Sequence, residues 1–252
     1  MNPIYCNGCG GVFSQGIYSL TSEKLWDDGQ LGPEFIRRDQ VIATPLPTFG
    51  KLNLPDKLAF SAASLALRDN PESGGDRSGI SIAVPYGSLT TDMFFMESVV
   101  TQFPSPTYFS ATLPSSTVAD IAIYYKFKGP DRIICGGDSP VTEALSNVFR
   151  LIKTGKADTI LFLAVWAFDS INKNKLGDFT PVENAAFSAL FSTTAQNAAA
   201  AKCDLVLGNP SAQYDSTTEH QFCERLLDAL RGKEKKHLAL HPESNDNYIS
   251  IE

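Results

Sequence analysis

The chain has no excess of positive charge and no long apolar run, and it is poor in the patterns that build metal or redox centres. Its 21 Lys and Arg are outnumbered by 28 Asp and Glu, a formal charge of −7 over 252 residues. That balance argues against nucleic acid or an anionic membrane as the main partner. No stretch approaches the roughly 20 apolar residues a membrane span needs. The longest apolar run, Thr159 to Phe168, is strand-sized. The opening residues, MNPIYCNGCGGVF, carry no basic segment followed by a continuous apolar core, so no secretory signal is read there. The five cysteines are odd in number and irregularly spaced, which fits free thiols in a reducing cytoplasm better than a disulfide framework. Cys6 and Cys9 make a C-x-x-C, but no second pair stands at zinc-site spacing, and no metal or cofactor is expected. Gly8-Cys9-Gly10-Gly11 lacks the last glycine of a dinucleotide fingerprint, because that place is Phe13, and it reads as a structural turn. Internal repeats and low-complexity segments are missing too.

What is present is ordinary for a globular protein: 43% hydrophobic residues, enough for one large or two small domains. A strand is read over Ile4 to Gly16, ending in the Gly-rich turn, then an irregular excursion over Trp26 to Pro55. A helix follows over Leu54 to Asp69, a strand over Ser78 to Pro85, and a helix over Thr90 to Gln102 with Thr90 or Thr91 as cap. Pro104 to Pro114 reads as a loop and Thr117 to Phe127 as a helix. Later strands are expected over Val182 to Ser192, Asp204 to Leu207 and His237 to His241, with a helix over Thr218 to Arg231. Strands alternating with helices imply an α/β protein with a parallel or mixed sheet.

The densest signal is Gly129 to Trp166, GPDRIICGGDSPVTEALSNVFRLIKTGKADTILFLAVW. It reads as strand, tight glycine turn, amphipathic helix and second strand. Val141, Ala144, Leu145, Val148 and Ile152 form the helix's apolar face and Phe149 and Leu151 widen it, so the helix is expected between two layers. Such a strand-to-helix elbow often presents a nucleophile. Here the elbow residue is Asp138. It can be a base or polar anchor, or it can cap the helix before Pro140, which is the preferred reading. Cys135, three residues earlier, is a weaker candidate nucleophile, with a strand-end thiol as its plain alternative. His220, His237 and His241 have no Ser-His-Asp context and read as packing or surface residues.

These residues resemble the β-ketoacyl synthases of the thiolase fold. YCNGCGGVFSQG is similar to the family's first strand and its glycine turn. DRSGISIAVPYGSL resembles the strand before its dimer-interface region, and PSPTYFSATLPSSTVADIAIYYKFKGP resembles the segment ahead of its nucleophile. From Gly129 to Asp158 the family pattern lies on the chain without a gap, and Lys156-Ala157-Asp158 matches its Gly-x-Ala-Asp. The resemblance implies a layered α/β fold with mixed sheets, a buried central helix and a shortened second half. Residues 1–170 correspond to the family's N-terminal half and 171–252 to a remnant of the other, within a single thiolase-like domain. Asp204 to Asn209, followed by Asp215 and Glu219, is a compressed echo of the family's His-Gly-Thr loop and following helix.

The departures bear on function. The ungapped register sets Asp138 where the family has its acyl-accepting cysteine, and Asn209 or Gly208 where its first catalytic histidine falls. The second histidine has no match. Condensation needs a thiolate to carry the acyl group and imidazoles to aid decarboxylation. The expectation is therefore a non-catalytic, chain-length-factor-like subunit. The resemblance implies an active ketosynthase and acyl carrier protein as partners, a homodimer or heterodimer, and a cytoplasmic type II pathway for fatty acids or polyene pigments. Two alternatives stand beside it: an acyl-thioester enzyme using Asp138 or Cys135 for hydrolysis or decarboxylation, and a lipid-binding homodimer.

Overall fold

The structure is a computed structural model that describes residues 3–26, 32–42, 46, 48–137, 139–168, 183–207, 216–232, 236–241 and 244–252. The chain opens with β1 (Ile4–Phe13), β2 (Gly16–Ser19) and β3 (Glu23–Leu25), an antiparallel meander. The described part of the expected excursion holds 3-10 turns at Pro33–Phe35 and Phe49–Lys51 and the single-turn α1 (Arg38–Val41). Then come α2 (Leu54–Ala66), β4 (Ser78–Val84), α3 (Leu89–Val100), α4 (Pro106–Ser110) and α5 (Ser115–Tyr125). The elbow region forms β5 (Asp131–Cys135), α6 (Pro140–Lys153) and β6 (Thr159–Trp166). The chain continues as β7 (Ala185–Ser192), β8 (Ala201–Leu207), α7 (Ser216–Gly232), β9 (Lys236–His241) and β10 (Ser244–Ile251).

The strands form one mixed sheet in the order β5-β4-β6-β7-β1-β8-β10-β9, with β2 and β3 added beside β1. β5, β4 and β6 run parallel, and the remaining pairings are antiparallel. Helices cover both faces, which explains why β6 reads TILFLAVW without a polar break. Ile160, Phe162, Ala164 and Trp166 point into a core shared with α6 and α7. Leu161, Leu163 and Val165 point the other way, into a core shared with α2 and α5. α6 buries nine of its 14 residues, wider than the stripe of a one-sided helix. It lies on β4, β5 and β6 and shares its core with α7 and with Cys203, Ile249 and Ile251 of β8 and β10, while Glu143, Arg150 and Lys153 stay exposed.

Four local readings change. Gly8-Cys9-Gly10-Gly11 is no turn: it lies inside β1, and the chain reverses at Ser14–Gln15. The glycines are there because α2 rests on the strand backbone. A Cβ at Gly8 would sit 2.1 Å from the Ala66 carbonyl oxygen, and one at Gly10 would sit 2.4 Å from Leu65 Cβ. α3 is capped neither by Thr90 nor by Thr91, which are buried in its first turn; the N-cap position is Ser88, whose Oγ donates to Asp92 Oδ2 at 2.9 Å. The loop over 104–114 contains α4, started by Ser105, which accepts from the Tyr108 amide at 3.3 Å. β10 has no counterpart among the expected elements, because its opening Ser-Asn-Asp-Asn looks like turn chemistry. Pairing with β8 and β9 overrides that preference.

Candidate functional site

The parallel strands β4 and β5 end side by side, with Val84 in register with Cys135. Beyond Cys135 the backbone turns through Gly136 at φ 63° and Gly137 at φ 85°, left-handed conformations that favour glycine, and α6 starts at Pro140. A strand, a left-handed glycine pair and a helix thus follow one another here, as read from the sequence. Asp138 and Asn209 themselves lie outside the described residues, as do Gly208 and Asp215.

A cleft of about 460 Å³ opens at the ends of β4 and β5, lined by Tyr86, Ser88, Leu89, Asp92, Pro114 and Cys135 among others. Cys135 is exposed there, and what burial its thiol has pushes its pKa above the ordinary value. At neutral pH it is a protonated thiol, and no histidine lines the cleft among the described residues to take its proton. Ser88 and Asp92, also in the lining, are joined by the hydrogen bond from Ser88 Oγ to Asp92 Oδ2.

The described residue at α6's positive end comes from far away in sequence. Glu219 of α7 is buried, and its Oε1 accepts the backbone amide of Thr142 at 3.0 Å. The resemblance placed Glu219 only in the second-half helix; nothing in local sequence links it to the elbow. Its neighbour His220 is a packed residue. The ring stands edge-on to Trp166 at 5.1 Å and to Phe13 at 5.8 Å between centroids. Burial lowers its pKa, so the imidazole is neutral at pH 7, and among the described residues its Nε2 and the buried Nε1 of Trp166 find no hydrogen-bond partner. His237 and His241 occupy β9, in register with Ser250 and Ser244. They are not brought to the elbow by any described pairing.

Cys6 and Cys9 both point into the α6–α7 core, because a bulge between Cys6 and Gly8 shifts the alternation of β1. Burial pushes Cys9 up to about 12 and Cys6 well above the ordinary thiol value. Among the described residues no group of three His, Cys, Asp or Glu side chains is placed to hold a metal ion.

No protein-family model matches the chain. Solved structures do share its fold. One is a chain of a ketosynthase in complex with its chain length factor from Xenorhabdus doucetiae, at TM-score 0.61 and 17% identity, with 96% of each chain covered. Another is a type II polyketide acyl-carrier protein in complex with its ketosynthase bound to the hexaketide, at TM-score 0.59 and 15% identity, covering 88% of this chain and 72% of that one. A third is a β-ketoacyl synthase from Burkholderia phymatum, at TM-score 0.56 and 14% identity, covering 96% and 75%. The chain thus has the thiolase-like fold of the ketosynthases. Among the described residues no helix is long and apolar enough to cross a membrane.

Proposed function

We propose that this chain is a non-condensing, chain-length-factor-like subunit that pairs with an active β-ketoacyl synthase. It would serve a cytoplasmic type II pathway for fatty acids or polyene pigments, with acyl carrier protein bringing substrate to the pair. Residues 1–170 serve as the counterpart of a synthase's first half and 171–252 as a shortened second half. The observation that carries the pairing is a surface. Eight of the ten exposed large hydrophobic side chains among the described residues lie between positions 96 and 123, including Val100 at 77% exposure, Phe103 at 83% and Ile123 at 78%. Monomers seldom leave so much apolar area bare. The first turn of α3 shares the cleft wall with the end of β5. Among the described residues β5 is an edge strand, paired only with β4. An open edge beside an apolar surface is what a strand-pairing partner covers. The loss of chemistry has separate support: aspartate at the elbow, and a nearby thiol that stays protonated.

The test is co-purification of the tagged chain from its native cytoplasm, with intact mass spectrometry of the complex. A ketosynthase bearing the elbow cysteine, recovered one to one, is the expected result. A homodimer free of any synthase would overturn the reading and turn attention to acyl-thioester turnover by wild type, Asp138→Ala and Cys135→Ala.

A further inference from the structure

A second cavity, of about 600 Å³, is lined by α7 and the β1–β2 hairpin. Its size is that of a small-molecule site. Among the described residues it shares no lining residue with the cleft at the ends of β4 and β5. Part of the lining is apolar: Phe13 at the end of β1 and Leu227 of α7, both buried. Part is charged: Glu224, Arg225 and Asp228 fall within one turn of α7 and all line the space.

These charges of opposite sign do not meet. Residues three apart on a helix are neighbours, yet no hydrogen bond or ion pair joins Arg225 to Asp228, or to Glu224. The guanidinium has one hydrogen bond among the described residues, from Nη2 to the Ala239 carbonyl of β9 at 3.3 Å, and its buried Nε has no partner there. Buried donors in folded proteins are nearly always satisfied, so an unsatisfied one points to a group that the chain does not itself supply. The acids are unmatched too. Neither Glu224 nor Asp228 receives a hydrogen bond among the described residues, and His220 Nδ1 stays 3.9 Å from Glu224 Oε2, beyond hydrogen-bond reach. Burial, then the nearby Glu183 and Asp228, push the pKa of Glu224 up, as crowded carboxylates without a donor do.

We propose that this cavity binds a small zwitterion of the α-amino-acid type, with its carboxylate on Arg225, its ammonium on Glu224 and Asp228, and its side chain against Phe13 and Leu227. A guanidinium is a planar fork that matches a carboxylate, and an ammonium brings three donors to the two acids. An anion alone would leave the acids unmatched, and a cation alone would leave the guanidinium so. A molecule with both ends satisfies the lining at once.

Isothermal titration calorimetry of the whole chain with L-phenylalanine, N-acetyl-L-phenylalanine and L-phenylalanine amide tests this. The first compound carries both charges, the second lacks the ammonium and the third lacks the carboxylate. Saturable binding of L-phenylalanine is expected at a Kd of about 1 mM or tighter. Each derivative is expected to bind at least about tenfold more weakly, because one end of the site is left unpaired. Arg225→Met and Asp228→Asn, each with an unchanged circular dichroism spectrum, are expected to weaken L-phenylalanine at least about fivefold. If Arg225→Met fails to fold, the exposed Asp228→Asn and the two derivatives still decide. No saturable binding up to about 10 mM by the folded chain would overturn the inference. So would three compounds that bind alike, or an Asp228→Asn chain that binds as wild type does. Synthase pairing needs none of these residues in this argument and is scored separately, so either result can fail while the other stands.

Discussion

Asp56 is a carboxylate buried where α2 meets α5, accepting a hydrogen bond from the Thr117 hydroxyl. Burial, the largest influence, and the nearby Asp120 push its pKa up to about 6, against the lowering effect of its hydrogen bonds. The folded value lies above the unfolded one, so the native state holds this proton more tightly. The group's contribution to stability is greatest below about pH 4 and falls as pH rises toward 6, where the folded carboxyl ionises. Asp56→Asn keeps an oxygen for Thr117 and removes the charge. It is expected to be more stable than wild type at pH 7 by on the order of 2 kcal/mol, with the advantage shrinking toward pH 4. Urea unfolding at both pH values checks this; a variant weaker at pH 7 would mean that the charge itself supports the first turn of α2. Asn7 shows the opposite solution for a buried polar side chain. Its amide donates to Ser192 Oγ and the Thr194 carbonyl and accepts from the Gln196 amide, so no charge has to be desolvated.

At the scale of elements, the contact between β1 and α2 is the most constrained. Gly10→Ala would push a methyl to 2.4 Å from Leu65 Cβ and 2.8 Å from the Ala66 amide nitrogen. A destabilisation on the order of 3 kcal/mol is expected from urea titration. Gly232→Ala, whose added methyl meets nothing within 4 Å, serves as the control with little change. This contact also shows what the sequence conveys and what it withholds. Periodicity and punctuation were enough for α2, β4, α5, α6 and β6, because each joins a clear apolar pattern to a cap, a proline or a glycine. The same glycines misled in β1, since local chemistry cannot tell a residue needed for a turn from one needed for the close approach of a distant helix. β10 was hidden by its polar start. At the elbow, the strand, turn and helix were legible from Gly129 onward, but Glu219 was not. Its role rests on a hydrogen bond between elements that only the sheet order brings together. Arg77 is a similar case: it pins the Gly155 carbonyl and both oxygens of Asp158 at 2.7–2.8 Å, tying the start of β4 to the turn that carried the resemblance.

Taken whole, the molecule carries a net charge of −7 and a bare apolar region over α3, α4 and α5. Stacked Phe94–Tyr108 and tilted Phe95–Phe109 pairs, at 5.5 and 5.3 Å, join α3 to α4, so the region is a fixed surface and not a set of loose side chains. Val100→Asp with Phe103→Asp changes two side chains that are already in water. The double variant is expected to keep the wild-type melting temperature within about 2 °C, because surface substitutions move stability little. It is also expected to lose recovery of the synthase by at least about tenfold, because a charge in the centre of an apolar interface must be desolvated. A variant that still co-purifies at wild-type yield would place the interface elsewhere.

The bare surface has a consequence for supply. On the proposed pairing, a copy made without a synthase would be an orphan, its apolar face open to other orphans, to chaperones and to proteases. If the proposed pairing holds, excess copies would be removed while assembled ones persist, and the abundance of this chain would follow that of the synthase, however unevenly the two are synthesised.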